Sequence, residues 1–107
     1  MERLKVIVTV DREIGYQDSF GTVYPVNYGF IQGVIGGDNE EQDAYILNIL
    51  PKKVTSFTGI VAAVIHRRDD NETKWIVIPE GTTITEETII KETYFIEQYF
   101  DSYVELL

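Results

Sequence analysis

The stretch "TVYPVNYGFIQGVIGGDNEEQDAYIL", residues 22–47, joins a strand pattern to a dense acidic turn. Aromatic and aliphatic residues alternate around Pro25 and Gly29, which is typical of a bent or bulged β-strand or of two short strands. A double glycine follows, and then four acids fall within six positions: Asp38, Glu40, Glu41 and Asp43. An apolar strand, residues 43–50, comes next, and Pro51 closes it. Because like charges this close repel one another, the turn needs either full solvation or a cation.

On both sides of this stretch the sequence predicts more short strands. Residues 4–10, "LKVIVTV", are rich in β-branched residues. Residues 57–67 and 74–79 form a predicted hairpin around the polar turn "RDDNET". About five short strands at this spacing predict a mainly β protein built on a small closed or nearly closed barrel.

The last third of the chain changes character and predicts a helix over residues 85–107. Thr83 and Glu86 have the spacing of a capping box, in which each residue satisfies a free backbone N–H of the other. Apolar residues recur at helical spacing: Ile89, Ile96, Phe100 and Val104. This face should pack on the barrel. Its surplus of tyrosine and phenylalanine also fits a homo-oligomer interface.

Composition narrows the class of protein. The 107 residues form one expected domain, residues 1–107, and a 44% hydrophobic content predicts a folded chain. There is no cysteine, so disulfides and cysteine metal sites are excluded. The net charge of −9 disfavours nucleic acid and anionic membranes as partners and favours cations. The N-terminal apolar run is too short and polar for a signal peptide or membrane span, so we expect a soluble, cytoplasmic protein.

The acidic turn has the chemistry of a magnesium site. Asp38, Glu40 and Asp43, at spacings of two and three, can converge from one turn and the start of a strand. Magnesium prefers hard oxygen ligands and takes a few carboxylates, with water for the rest. A solvated acidic turn is the alternative interpretation, and spacing alone leaves both open.

The same stretch resembles the core motif of the soluble inorganic pyrophosphatases. That family carries Tyr-Pro-x-x-Tyr-Gly-Phe-Ile-Pro, a spacer, and Asp-Gly-Asp-Pro-x-Asp before an apolar strand. The residues that match are Tyr24, Pro25, Tyr28, Gly29, Phe30, Ile31, Asp38, Glu40 and Asp43. A second acidic loop is similar too, with Asp69 and Asp70 leading to Glu72 and Lys74, and Tyr99 stands at the tyrosine of the family's C-terminal helix. The resemblance covers about residues 4–101.

This resemblance implies a five-stranded OB-like barrel with the C-terminal helix packed outside. It also implies Mg²⁺-dependent attack of metal-bound water on a phosphoanhydride. The implied metal ligands are Asp38, Glu40, Asp43, Asp70 and Glu72, and the first three form the catalytic set with Asp43 at its centre. The implied phosphate contacts are Tyr28, Lys74 and Tyr99.

Several basic residues of the family's phosphate site are replaced in this chain. Ile7 and Thr9 stand where the family has a lysine and a glutamate, Tyr16 where it has an arginine, and Phe100 where it has a lysine. Activity on pyrophosphate should therefore be weak. The basic run His66, Arg67 and Arg68 is either a solvated turn or a substitute for the missing phosphate contacts, and Arg12 is a weaker candidate for that role.

The function favoured by the sequence is thus a Mg²⁺-dependent hydrolase of pyrophosphate or a related phosphoanhydride, with a small phosphorylated substrate as partner. The alternative is a catalytically reduced pyrophosphatase-like module that binds a ligand or regulates a partner. A third interpretation is purely structural, in which the motif residues are present because the barrel needs them.

Overall fold

The computed structural model describes residues 3–49 and 52–107. The elements in chain order are β1 (Lys5–Arg12), β2 (Asn27–Ile35), β3 (Glu41–Ile46), β4 (Ser56–Arg67), β5 (Thr73–Ile78), α1 (Glu86–Glu97) and β6 (Ser102–Leu106). The predicted closing role of Pro51 lies outside the described residues. Within the described ranges, no helix is long and apolar enough to cross a membrane.

The first five strands close into a barrel. Their order is β1-β2-β3-β5-β4, and β4 pairs back with β1. All neighbours are antiparallel except β3 and β5, which are parallel. This order and closure, with α1 outside, confirm the predicted mainly β, OB-like barrel. The predicted hairpin of β4 and β5 is confirmed as well, because the two strands pair from Ile60↔Ile78 to His66↔Thr73.

The strands bury different residues on their two sides, as a period of two requires. One buried cluster takes side chains from all five barrel strands: Val6, Val8, Ile31, Ala44, Ile46, Val61 and Val77. Other residues of β3, β4 and β5, among them Tyr45 and Ile76, join a second cluster that includes Ile89 of α1. The helix therefore packs on the outside of the barrel, and its buried residues are Ile89, Thr93 and Glu97; of the predicted apolar face only Ile89 is buried in the helix.

Gly29 allows β1 and β2 to approach each other. A Cβ at this position would lie 1.9 Å from the carbonyl oxygen of Thr9, so any larger residue would push the strands apart. The pairing of β2 with β3 shifts register between Ile31 and Ile35, which confirms the predicted bulge. The first half of the predicted bent strand is less regular, since only an isolated bridge joins Gln17 and Val23.

Two predicted boundaries are wrong. The strand predicted over residues 43–50 ends at Ile46, because Asn48 adopts a left-handed φ of 66° that turns the backbone out of the sheet. The helix begins two residues later than the capping box of Thr83 and Glu86 predicted. Its N-cap is Thr85, whose side chain accepts a hydrogen bond from the backbone N–H of Thr88 at 3.2 Å.

The C-terminal end of the predicted helix is also wrong. The helix stops at Glu97, and β6 follows, paired with β4 from Ala63↔Leu106 to Arg67↔Ser102. The reason lies in β4, because β1 pairs only with its first part, residues 56–60. The remainder of that edge would expose unpaired backbone groups, and β6 covers it.

Candidate functional site

The two acidic loops predicted from the sequence lie against each other. A Cβ on Gly37 would be 2.5 Å from the carbonyl oxygen of Asn71, so this glycine permits the contact. Each loop is closed by an aspartate that accepts a backbone N–H two residues later. Asp38 Oδ1 accepts from Glu40 N at 3.0 Å, and Asp70 Oδ1 accepts from Glu72 N at 2.7 Å.

Three of the five predicted metal ligands meet where the loops touch. Asp38, Asp43 and Glu72 line one shallow depression. Glu40 does not line it and is exposed, and Asp70 does not line it either, with Oδ2 3.9 Å from Nη1 of Arg67. Across residues 3–49 and 52–107, no group of three or more His, Asp or Glu side chains is arranged to hold a metal ion.

Lys74 supplies a positive charge inside this group of acids. Its Nζ donates to Asp43 Oδ2 at 2.6 Å, to the Tyr28 hydroxyl at 3.0 Å and to Glu72 Oε1 at 3.4 Å. An ammonium has three N–H donors, so these three contacts use all of them. The side chain is 5% exposed. Much of the repulsion between the acids is therefore balanced by a lysine of the chain itself.

Tyr28 joins the depression to the neighbouring space. Burial, and next the charge of the Asp43 carboxylate, raise the pKa of Tyr28 well above its ordinary value. The phenol therefore stays neutral at physiological pH and keeps its O–H as a donor. Its oxygen accepts from Lys74, so the ring, the lysine and Asp43 form one connected unit.

The carboxylates fit magnesium in their chemistry. Asp38 is exposed, and the hydrogen bond from the Glu40 backbone lowers the pKa of its carboxyl group, so the group is ionised at neutral pH. Asp43 is half-buried beside it. Magnesium is usually held by one or two carboxylates, with water and substrate phosphate as the other ligands. Asp38 and Asp43 meet that requirement.

A cavity of about 580 Å³ lies next to the depression. Its lining residues are Arg12, Asp18, Phe20, Thr22, Tyr24, Tyr28, Tyr45, Arg67, Lys74, Ile96, Tyr99 and Phe100. The three predicted phosphate contacts, Tyr28, Lys74 and Tyr99, are thus brought to one cavity. Lys74, which lines the cavity, donates to Asp43 and Glu72 of the depression and so links the two features.

Arg12 enters the same cavity from the end of β1. Its guanidinium lies 5.3 to 5.8 Å from the ring centres of Tyr16, Tyr24 and Tyr28, and it donates to the Tyr24 hydroxyl. In the described part of the chain, it forms no ion pair with a carboxylate. The sequence made Arg12 only a weak candidate, and the structure places it in the cavity lining beside Tyr28.

Arg67 has a different environment, although it lines the same cavity. Its Nε and Nη2 donate to the two oxygens of Glu97 at 3.0 and 2.8 Å, and Nη1 donates to Glu72 at 2.8 Å. Its guanidinium also lies 3.6 Å from the ring centre of Phe100. The expectation of a solvated turn is wrong for this residue, because the side chain is 4% exposed and bonded to two carboxylates.

Glu97 of α1 is the centre of this buried network. It accepts hydrogen bonds from the Tyr45 hydroxyl and from Ser102 Oγ, both at 2.7 Å. Burial alone would raise its pKa, but the bonds from Arg67, Ser102 and Tyr45 outweigh it and lower the pKa of Glu97. Burial likewise opposes the charge on Arg67, and the bond to Glu97 outweighs it and raises that pKa. The pair fastens α1 and β6 to the barrel.

The other two residues of the basic run lie on the surface side of β4 and β6. Arg68 is exposed and pairs with Asp101 at 3.0 Å. His66 stacks on the ring of Tyr103 and contacts Glu105 at 2.8 Å. Neither residue lines the cavity, so among the three only Arg67 reaches it, and there its charge is already paired.

No family model matches the sequence, and no curated protein matches it significantly. Solved structures do match. The inorganic pyrophosphatase from Ehrlichia chaffeensis aligns with a TM-score of 0.72 at 14% identity, over 95% of this chain and 85% of that chain. The one from Coxiella burnetii gives 0.65 at 14%, over 99% and 85%. The one from Helicobacter pylori gives 0.65 at 17%, over 100% and 86%.

These identities support a statement about the fold. The chain has the fold of the bacterial inorganic pyrophosphatases along nearly its whole length, and the resemblance seen in the sequence is confirmed at that level. The sequence motifs fall on the expected elements of that fold. Tyr28 lies on β2, Asp43 on β3 and Lys74 on β5.

Sequence reasoning missed two features of the site. Phe20 lines the cavity from a turn-rich loop that was given no function. The sequence feature that could have identified it is a large aromatic residue among turn-forming residues, in "QDSFG". A loop that only turns the chain in solvent does not require such a residue. The Arg67–Glu97 pair was missed because its partners are 30 residues apart, and no local spacing links them.

Proposed function

We propose that this protein is a Mg²⁺-dependent hydrolase that cleaves a phosphoanhydride, either pyrophosphate or a related compound. The observation that carries the proposal is the contact that Lys74 makes between the two features. Lys74 and Tyr28 line the cavity, and Lys74 donates both to the Tyr28 hydroxyl and to Asp43 of the acidic depression. A ligand whose phosphates enter the cavity would therefore lie beside carboxylates that suit magnesium.

We assign the metal-binding role to Asp38 and Asp43, with Glu72 next to them. Glu40 and Asp70, which the resemblance implied as ligands, do not line the depression, so we leave them out of the metal set. When bound, magnesium would neutralise phosphate charge and acidify water. Lys74 fixes the orientation of Asp43, since it holds one carboxylate oxygen at 2.6 Å. The other oxygen of Asp43 would then be available as a metal ligand.

The phosphate-binding role goes to Arg12, Tyr28 and Tyr99. Arg12 brings a charge with no carboxylate partner in the described part of the chain, and Tyr28 brings a neutral hydroxyl whose proton it retains. Tyr99 stands at the mouth of the cavity and is largely exposed. Phosphoryl transfer gains mainly from positioning and from charge stabilisation, and these residues contribute to both.

Activity on pyrophosphate should be modest. The removal of one preorganised electrostatic contact typically lowers the rate on the order of 100-fold. In this cavity Arg67 and Lys74 are already bonded to carboxylates, which leaves Arg12 as the cation for the substrate. A cytoplasmic location and a homo-oligomer stay predictions.

The test is phosphate release from pyrophosphate and a panel of nucleotides, with and without magnesium. We expect magnesium-dependent release that Asp43→Asn abolishes. Asp101→Asn is the matched control, because it neutralises a surface aspartate that pairs with Arg68 outside the cavity. If no compound releases phosphate, or if the two variants behave alike, the proposal fails and the catalytically reduced binding module becomes the better interpretation.

A further inference from the structure

The cavity is large and aromatic for a site that takes diphosphate alone. Its volume of about 580 Å³ lies in the range of roughly 300–1,000 Å³ that proteins use for drug-sized ligands. Seven of its twelve lining residues are aromatic or aliphatic: Phe20, Tyr24, Tyr28, Tyr45, Ile96, Tyr99 and Phe100. A diphosphate ion is small and fully polar. It would leave much of this space and all of this apolar surface without a partner.

The charged residues of the cavity favour a ligand with a small anionic group. Of its three cations, Lys74 donates to Asp43 and Glu72, and Arg67 donates to Glu72 and Glu97. Arg12 is bonded only to a tyrosine hydroxyl in the described residues. Of the three cations, Arg12 is therefore the one without a carboxylate partner in the described residues, and its guanidinium lies 5.8 Å from the ring centre of Tyr28.

Two exposed aromatic residues border the cavity. Phe20 is 93% exposed and Tyr99 is 69% exposed, yet both line it. The loop that carries Phe20 is well ordered by hydrogen bonds. Asp18 Oδ1 accepts from the backbone N–H groups of Phe20 and Thr22, both at 2.9 Å. The hydrogen-bonded backbone of this turn thus presents the Phe20 ring to solvent, which suits a surface on which another aromatic ring stacks.

We propose that the ligand of this cavity is a nucleoside diphosphate. Its base would stack on Phe20 and Tyr99, and its phosphates would reach Arg12 and the acidic depression. A nucleobase offers a flat π surface to an aromatic side chain, and each such stack typically contributes about 1–3 kcal/mol by alanine substitution. This assignment gives the substrate class of the proposed hydrolase. It rests on that proposal for the bond that is cleaved, whereas nucleotide binding can be measured without turnover.

The experiment measures affinity by isothermal titration calorimetry of the whole chain. The probes are ADP, GDP, CDP and UDP, with pyrophosphate and adenosine as the two partial ligands, each with magnesium present. We expect at least one nucleoside diphosphate to bind about 10-fold more tightly than pyrophosphate, since one stacking contact is worth that much. Adenosine, which lacks the phosphates, should bind at least 10-fold more weakly than ADP.

Phe20→Ala separates the base from the phosphates. The substitution is expected to lower the affinity for the preferred nucleotide about 10-fold and to leave the affinity for pyrophosphate unchanged. Folding should be intact, because this side chain is almost fully exposed. Tyr94→Ala is the matched control: Tyr94 is an exposed tyrosine of α1 that does not line the cavity, and its removal should change neither affinity.

The outcomes distinguish this inference from the proposed function. If pyrophosphate binds as tightly as every nucleotide and Phe20→Ala has no effect on affinity, the nucleotide assignment is overturned. The proposed hydrolase activity is not affected by that result. Nucleotide that binds with the expected preference but releases no phosphate supports the assignment and overturns the hydrolase. Adenosine that binds as well as ADP also overturns the assignment, because the phosphates would then play no part.

Discussion

Two arginines line the same cavity, and their surroundings differ in almost every respect. Arg67 is buried and bonded to both oxygens of Glu97 and to Glu72. Arg12 is half-buried among three tyrosine rings and has no carboxylate partner in the described part of the chain. The fold depends on the first charge, because it joins β4 to α1 and to the turn that precedes β5. It gains little from the second, which remains available to a ligand.

The acidic residues show the same division. Glu97 is buried and receives hydrogen bonds from three side chains. Asp38 is exposed and its carboxylate accepts a backbone N–H of its own turn. In this molecule the charges that are completely paired hold the layers together. Around the cavity and the depression, Arg12 and Asp38 form no ion pair in the described residues, which is why we assign function to these two.

The largest expected effect comes from Arg67→Met. The substitution leaves Glu97 as a buried charge without its partner, and breaking such a pair typically costs about 3–5 kcal/mol of stability. The measurement is urea unfolding followed by the fluorescence of Trp75, the single tryptophan. Arg68→Met is the control: its exposed pair with Asp101 should contribute less than about 1 kcal/mol. Equal losses in the two variants would show that the buried network has no special role.

The same pair predicts a dependence of stability on pH. The pKa of Glu97 is lowered in the folded state from its ordinary value of 4.5, so its contribution is fully present above that pH. It is lost as the pH falls through the folded-state pKa, because the carboxyl group then takes up a proton. Wild-type protein should therefore lose unfolding free energy on acidification more steeply than Glu97→Gln. If the unfolding free energies of wild type and Glu97→Gln fall in parallel between about pH 6 and about pH 2, the lowered pKa of Glu97 in the folded state is contradicted.

Lys74→Met should have an intermediate effect. It removes charged hydrogen bonds to the carboxylates of Asp43 and Glu72, which are about one third exposed, and we expect a loss of about 2 kcal/mol. Magnesium should restore part of this stability and should stabilise the variant more than wild type, because the ammonium no longer competes for Asp43. The measurement is the melting temperature with and without magnesium. An identical magnesium response in both proteins would place the metal elsewhere.

Magnesium alone should stabilise wild type by a smaller amount. A ligand that binds only the folded state contributes about 1.4 kcal/mol at ten times its dissociation constant. Asp43→Asn should lose most of this gain, and Asp101→Asn should keep it. Sodium chloride at matched ionic strength separates binding from screening. If sodium gives the same shift in melting temperature as magnesium, the depression is not a metal site.

The parts of the fold that local patterns control could be predicted from the sequence. Alternation along β4 and β5 and the turn between them specify the hairpin. The region after Glu97 could not be predicted, because Ile96, Phe100 and Val104 keep a helical spacing while the edge of β4 decides the structure. That edge lies about 40 residues away in sequence, as the pair Ala63↔Leu106 illustrates. Tertiary pairing overrides local periodicity at such places.

The candidate site divides in the same way. Asp38 and Asp43 were predictable, since they share one turn and the start of one strand. The partnership of Asp43 with Lys74 spans 31 residues and depends on β3 and β5 being parallel neighbours. The position of Arg12 depends on the irregular pairing of β1 and β2, where the register shifts between Val10 and Arg12. Strict alternation of side chains between the two faces of a strand does not predict the direction of a residue that follows such a bulge.

The smallest effect on stability should come from Arg12→Gln, and this sharpens the contrast with Arg67. Its contacts are with tyrosine rings and one hydroxyl, so its removal should change the unfolding free energy by less than about 1 kcal/mol. The affinity for phosphate compounds, in contrast, should fall strongly. A charged hydrogen bond to phosphate is worth about 1.5–3 kcal/mol, so the dissociation constant of pyrophosphate or nucleotide should rise more than 10-fold. Arg68→Gln controls for the loss of one positive charge, and it should alter neither quantity by much. An Arg12→Gln protein that unfolds as readily as Arg67→Met, or that binds phosphate compounds as well as wild type, would mean that both arginines serve the fold.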